Sequence, residues 1–312
     1  MTATTQELGL LLDRRVAALK KAHPDLTEAL EVQEQLIRAD LTSARRPETH
    51  GFATPRDQVE RRTRHGVPLL HEQPAHIDIH FAADLFSRLV NVLQQREEPD
   101  LRARLDELIA AATAGSLDPE QMFSEAFVQH HSHLSELAMQ TGLDPELLAT
   151  LATRSAAPLL RAYTEHLLPL VTASDDPAWQ YGYCPVCGGW PLLGELRGVE
   201  LAQFLRCAAC GSGWRWPRLQ CPYCGNDDYH SLGTLAIEGE QRFRISVCER
   251  CKGYLKVSNA FDPPPAELLP LDDAASVHLD VAAIERGYRR PDGAGFTIEL
   301  DVREDEWVEE LT

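Results

Sequence analysis

The sequence predicts a multidomain α+β protein: an N-terminal all-α helical domain over residues 1–178, two tandem four-cysteine modules over 179–219 and 220–262, and a C-terminal helix with an acidic tail over 263–312. Three observations carry this. Apolar side chains recur at three- and four-residue spacing through the first half of the chain. All eight cysteines lie between Cys184 and Cys251. A short pattern, Cys184-Pro185-Val186-Cys187-Gly188, returns as Cys221-Pro222-Tyr223-Cys224-Gly225, the mark of a duplicated small unit. A length of 312 residues also exceeds what one compact core usually holds.

The helical stripes can be taken in order. Leu8, Leu11, Leu12, Val16 and Leu19 share one face. Phe81, Leu85, Phe86, Leu89, Val90 and Leu93 form a second stripe, and Leu101, Leu105, Leu108 and Ala112 a third. Asp118-Pro119-Glu120-Gln121 has the chemistry of a helix start, with a capping Asp and Pro in the first turn. The helix it opens is expected to carry Met122, Phe123, Ala126, Phe127, Leu134 and Leu137 and to end at Gly142. Asp144-Pro145-Glu146 starts another, which Pro158 is expected to break or kink before Leu159–Val171. Residues 44–79, rich in Pro, Arg and His and without periodicity, read as a long loop. Composition shifts at Asp175-Asp176-Pro177, and Asp262-Pro263-Pro264-Pro265 reads as a stiff linker. Leu268–Tyr288 reads as one final helix. Phe296, Ile298, Leu300 and Val302 alternate before a strongly acidic end, a pattern open to an edge strand or a disordered tail.

The cysteines carry the chemistry. They form four C-x-x-C pairs: Cys184/Cys187, Cys207/Cys210, Cys221/Cys224 and Cys248/Cys251. With two residues between them, a tight turn can aim both sulfurs at one ion about 2.3 Å away. The residue after the second Cys often needs a positive φ, and Gly188, Gly211 and Gly225 stand there; the fourth pair has Lys252, with Gly253 one place later. Each spacer between paired knuckles is long enough for two strands and a turn. Each half therefore reads as a zinc-ribbon or rubredoxin-like module. Two metal ions are expected, one held by Cys184, Cys187, Cys207 and Cys210, the other by Cys221, Cys224, Cys248 and Cys251. Spacing also permits crossed pairing of the four knuckles. Four thiolates leave no open coordination position, so such an ion is structural or passes one electron rather than activating water. Disulfides are disfavoured in the cytoplasm, and a thioredoxin-type pair needs one C-x-x-C in a βαβ frame.

Other features exclude classes of function. The formal net charge of −18 repels phosphate backbones, which weighs against nucleic acid as partner. It divides as −10 over residues 1–180, +1 over 181–262 and −9 over 263–312, so the cysteine region bears no basic stripe. Tyr183, Trp190, Phe204, Trp214, Trp216 and Tyr223 are therefore expected to fill small cores rather than stack bases. No run reaches about 18 uncharged apolar residues, so no membrane span is expected. Glu7 and Asp13 interrupt the first apolar run, and no apolar run follows the Arg14-Arg15 pair. A signal peptide is not expected, and the cytoplasm is the expected location. His130 and His133 share a helix face beside His131, but no carboxylate or Cys at fixed spacing completes a site, so a polar helix face is expected. Walker, Rossmann and G-x-S-x-G motifs are absent from the sequence, and no catalytic residue is expected.

From Tyr183 to Pro291 the sequence resembles the FdhE family, the formate dehydrogenase accessory proteins. The resemblance rests on both C-P-x-C-G knuckles and on Leu205-Arg206-Cys207-Ala208-Ala209-Cys210 with Trp214 downstream. It extends through Cys248-Glu249-Arg250-Cys251-Lys252-Gly253-Tyr254-Leu255-Lys256, Asp272–Asp280, and Gly287-Tyr288-Arg289-Arg290-Pro291. Lys252 departs from the expected C-x-x-C-G form, and the acidic end after Gly295 is not a family feature. The resemblance implies a cytoplasmic accessory protein required for active respiratory formate dehydrogenase, docking on its molybdenum-bearing catalytic (alpha) subunit. It implies the same two cysteine quartets as ligands and favours iron, with zinc as the alternative that spacing alone would favour. A rubredoxin-like electron carrier and a zinc-ribbon nucleic-acid binder are the competing readings.

Overall fold

The computed structural model describes residues 4–43, 46–49, 54–172, 179–237, 240, 242–261 and 263–300. The composition shift at Asp175–Pro177, Val302 and the acidic end lie outside these residues.

The chain begins with α1 (Thr5–Ala22), capped by Thr4 and Glu7 in a reciprocal capping box. Leu8, Leu12, Val16 and Leu19 are buried along one face, while Leu11 turns outward. Helix α2 (Thr27–Leu41) packs against it. Helix α3 (Arg56–His65) lies inside the segment expected to be a loop. Its sequence, RDQVERRTRH, has almost no apolar periodicity, and only Val59, Arg62 and Thr63 are buried, so nothing marked it as a helix. Helices α4 (Ile79–Gln94) and α5 (Pro99–Thr113) follow the expected stripes.

The helix expected from Pro119 to Gly142 is two helices, α6 (Pro119–Phe127) and α7 (His131–Thr141). They part at Gln129, whose φ is +63°. Gly142 ends α7 in the left-handed conformation. Helix α8 (Pro145–Thr172) runs through Pro158 and Pro169 without the break that was one of the two expected outcomes. Pro158 is buried, and α8 is held from several sides by α3, α4, α6 and α7. That packing outweighs the lost backbone hydrogen bond.

The cysteine region forms one sheet. Its strands are β1 (Pro191–Arg197), β2 (Ala202–Cys207), β3 (Gly213–Arg215), β4 (Leu232–Leu235), β5 (Phe243–Cys248) and β6 (Tyr254–Ala260). The spatial order is β3-β2-β1-β6-β5-β4. Each copy is an antiparallel three-stranded unit, and the two are joined by the parallel pair β1/β6, from Leu193↔Lys256 to Arg197↔Ala260. The copies thus line up head to tail in one six-stranded sheet.

The expected final helix is divided at Ser276 into α9 (Leu269–Ala275) and α10 (Val277–Ile284). Leu268, Leu271 and Ala275 pack on Leu12, Val16, Leu19, Leu30 and Ile37, so the end of the chain completes the α1–α2 layer. Phe296–Leu300 returns to the first knuckle. Phe296 N–H donates to Gly188 O at 3.0 Å, Ile298 is buried, and Leu300 forms a parallel bridge with Gln73. The main core is continuous from α4, α6 and α8 to Cys184, Val186, Cys187, Trp214 and Trp216.

A buried ionic network ties α9 and α10 to the sheet. Lys256 on β6 is 0% exposed, and its ammonium meets Asp280 Oδ2 at 2.6 Å, Asp273 Oδ1 at 2.8 Å and Asp273 O at 3.0 Å. Arg290 joins both carboxylates, at 2.8 Å to Asp280 and 3.3 Å to Asp273. Asp272, also buried, takes Arg15 and Arg242. Removing one member of a buried, paired cluster leaves charge uncompensated, so Lys256→Ala should destabilise the fold by about 3–5 kcal/mol. Lys256→Met, which keeps the apolar stem packed, should cost less; urea unfolding of the two variants measures both.

Candidate metal centres

Each C-x-x-C pair sits in the same turn. The N–H of the first Cys donates to the carbonyl five residues on: Cys184 to Gly189 (2.9 Å), Cys207 to Ser212 (2.9 Å), Cys221 to Asn226 (2.8 Å) and Cys248 to Gly253 (2.9 Å). The residue after the second Cys is left-handed throughout, with φ of 76° at Gly188, 72° at Gly211, 70° at Gly225 and 58° at Lys252. The fourth knuckle therefore has the geometry of the others despite its side chain. Lys252 pairs with Glu249 and lies 5.5 Å from the Tyr288 ring.

The sheet brings the knuckles together in two groups. Cys184, Cys187, Cys207 and Cys210 form one cluster, and Cys221, Cys224, Cys248 and Cys251 the other; within each, the sulfurs lie within 4.8 Å of one another. All eight are free thiols. The closest approaches are 3.7 Å for Cys184–Cys210, 3.5 Å for Cys187–Cys207 and 3.6 Å for Cys187–Cys210. In the second cluster they are 3.6 Å for Cys221–Cys251 and 3.8 Å for Cys224–Cys248. A tetrahedron with metal–sulfur bonds of about 2.3 Å has edges of about 3.8 Å. Each cluster can hold one ion with little rearrangement.

Electrostatics point the same way. Burial alone pushes the Cys210 thiol up, but hydrogen bonds from Cys184, Cys187, Cys207 and Ser212 bring it well below the ordinary range. Hydrogen bonds to its neighbouring sulfurs, with burial, push Cys187 up, and burial pushes Cys207 up. In the second cluster, burial opposes ionisation of Cys248, yet backbone N–H groups of Cys251 and Arg250 lower it to about 7. Burial raises Cys251 to about 11 and raises Cys221 further. Burial and the neighbouring sulfurs thus oppose ionisation of Cys187, Cys207, Cys221 and Cys251. A bound cation offsets that cost, because it favours the thiolate form of every sulfur that ligates it.

Side chains outside the C-x-x-C pattern complete the sulfur environment. Ser212 Oγ lies 3.0 Å from Cys184 Sγ and 3.2 Å from Cys210 Sγ. Asn226 Nδ2 donates to Cys248 Sγ at 3.6 Å. Both stand two residues after the second Cys of a knuckle, the only signal that could have found them. The aromatic residues form a seam: Trp214 and Trp216 are in the main core, and Trp190 bridges Tyr183 and Tyr223 at 6.1 and 5.4 Å between centroids. A Cβ on Gly182 would stand 1.8 Å from Pro222 O, so only glycine lets the approach to the first knuckle pass the third.

The two clusters differ in exposure. The first is fully buried, and its four cysteines belong to the main core. In the second, Cys224 and Cys251 are partly exposed. His131 lines a cavity of about 570 Å³ between helices and sheet, while His130 and His133 face Glu125, a carboxylate the sequence pattern did not supply.

No family model matches the chain. Among curated proteins it is similar to the FdhE homolog of Aquifex aeolicus, 23% identical over 277 residues, 88% of this chain and 90% of that one. The FdhE homolog of Shewanella baltica is 27% identical over 202 residues, 63% of each chain. That of Pseudomonas aeruginosa is 30% identical over 161 residues, 49% of this chain and 52% of the relative. Among solved structures, the crystal structure of the FdhE protein from Pseudomonas aeruginosa shares the fold, with a TM-score of 0.60 and 22% identity, covering 95% of this chain and 98% of that one.

Structural tetrathiolate sites contribute directly to folding, about 10–16 kcal/mol for zinc in small finger peptides. Cys221→Ser should leave one ion per chain and keep the helical far-ultraviolet signal. Cys187→Ser, whose site lies in the shared core, should also lower the melting temperature of the helices. Metal analysis together with circular dichroism separates the two; two ions retained in Cys221→Ser would overturn the ligand set.

Proposed function

With the FdhE family supported by sequence and by fold alike, we propose that this chain is an accessory protein needed to form active respiratory formate dehydrogenase. It acts in the cytoplasm and docks on the molybdenum-bearing catalytic subunit. Cys184, Cys187, Cys207 and Cys210 hold one metal ion, and Cys221, Cys224, Cys248 and Cys251 hold the other. Iron is the ion proposed, on the family resemblance. The observation that carries the reading is the pair of sulfur quartets with tetrahedral edge lengths on an FdhE-like fold. Four thiolates close the coordination sphere, which fits an assembly role rather than hydrolytic catalysis. None of the helices among the described residues is long and apolar enough to cross a membrane.

A one-electron carrier is the second reading, favoured by the partial exposure of Cys224 and Cys251. A colourless protein that holds only zinc after growth with ample iron removes it.

Affinity capture of the tagged chain from cells making formate dehydrogenase should recover the catalytic subunit, and deletion of the gene should abolish formate-oxidising activity. Normal activity in the deletion strain, with no subunit captured, contradicts the proposal.

A further inference from the structure

The histidines of Gln129-His130-His131-Ser132-His133 lie outside both cysteine quartets, and folding gives two of them a partner that sequence spacing did not. Gln129 links α6 to α7 in the left-handed conformation, which is unfavourable for a side chain with a Cβ. It is held there from the first knuckle. Gln129 is buried, and its Nε2 donates to Cys187 O at 2.8 Å. Gly189 makes room, since a Cβ on it would meet Gln129 Oε1 at 2.5 Å.

This pinned turn sets the next residues. The His130 N–H donates to Glu125 O at 2.9 Å, and its ring Nδ1 lies 2.9 Å from Glu125 Oε2. His133, one turn later on α7, brings its Nδ1 to 3.1 Å from the same oxygen. The two rings are 4.9 Å apart and steeply inclined at 65°. Ligand atoms of Glu125, His130 and His133 all lie within 4.8 Å of one another. The Glu125 side chain pairs with these two imidazoles alone among the described residues.

We propose that Glu125, His130 and His133 form a third metal site, for a divalent ion of the imidazole-preferring class. The donor set of two imidazoles and one carboxylate suits nickel, cobalt, iron(II) or zinc and differs from the all-thiolate quartets. Three protein ligands leave coordination positions open, which a quartet of thiolates does not. With the His133 side chain 52% exposed, the ion exchanges with solvent instead of being locked in the core. His131 takes no part, since it faces the cavity between helices and sheet. A second cluster, His23, Glu240 and His278, is different: Glu240 Oε1 already accepts the N–H groups of Arg242 and Phe243, at 2.7 and 3.0 Å, as a loop clamp.

The test uses the full chain with both cysteine quartets filled, titrated with nickel(II) by calorimetry and followed by the histidine ring resonances. One exchangeable equivalent beyond the two tightly held ions is expected, with paramagnetic broadening at His130 and His133. Glu125→Gln and His133→Ala should each weaken that equivalent more than ~100-fold, beyond the ~10–100-fold that loss of an outer-shell partner costs, while keeping the two tight ions. Glu125→Gln preserves side-chain shape and carries the test if His133→Ala disturbs α7. An absent third equivalent, one that survives both substitutions, or broadening at His23 and His278 instead overturns the assignment.

Discussion

Four thiolates held within van der Waals contact of one another repel unless a positive charge sits at their centre. That constraint organises the molecule. It requires four turns that aim two sulfurs each at one point, and these turns require a left-handed residue at positions 188, 211, 225 and 252. Glycine meets the requirement at three of them at no steric cost. At the fourth, Lys252 accepts the strained conformation while its ammonium is held by Glu249 and the Tyr288 ring. Thiolate geometry fixes the knuckles, the knuckles fix the strand ends, and the strands then set how the two copies meet.

The copies meet head to tail. Pairing β1 of the first with β6 of the second leaves β3 and β4 as the sheet edges. Such an arrangement is not self-complementary, so the copies are free to diverge. The first turns its knuckles into the helical core, where Leu69 and Leu70 N–H groups bond to Pro185 O and Val186 O at 2.9 and 3.0 Å. The second keeps two of its sulfurs near the surface. The same local chemistry thus occupies two different dielectric settings, one enclosed in the main core and one partly open to solvent.

Much of this was legible in the sequence, and the parts that were not share physical causes. The eight cysteines grouped as their spacing suggested, because a knuckle is a local device and its residues are adjacent in the chain. The helices with strong stripes, such as α4, were equally plain. Helix α3 was not, because a short polar helix buries too few side chains to leave a periodic trace. Pro158 misled in the other direction, since its cost is met by packing on several sides of α8, which spacing cannot reveal. The break at Gln129 has no turn residue to announce it; its cause is a hydrogen bond to Cys187, 58 residues away. Glu125 is hidden for the same reason, because the turn at Gln129 is what brings it to His130 and His133.

The stretch from Asp272 to Asp280 shows how an apparent functional motif can be structural. Its acidic residues invite a reading as ligands or as a docking surface. The fold spends them on basic partners instead: Asp272 on Arg15 and Arg242, Asp273 and Asp280 on Lys256 and Arg290. Tyr254 adds a hydrogen bond to Asp280 at 2.8 Å, and the Arg290 guanidinium lies 5.4 Å from the Tyr254 ring. Burying this many charges is costly unless each is paired, and a buried pair is a weak source of net stability. What the network does supply is a unique position. Lys256 stands on the strand that joins the two copies, directly across from Leu193 in the parallel pair. A register slip of β6 against β1 would leave the ammonium without its carboxylates, a penalty no apolar residue at that place would impose. The acidic motif therefore acts on the cysteine clusters at one remove, by fixing the seam on which both quartets are hung.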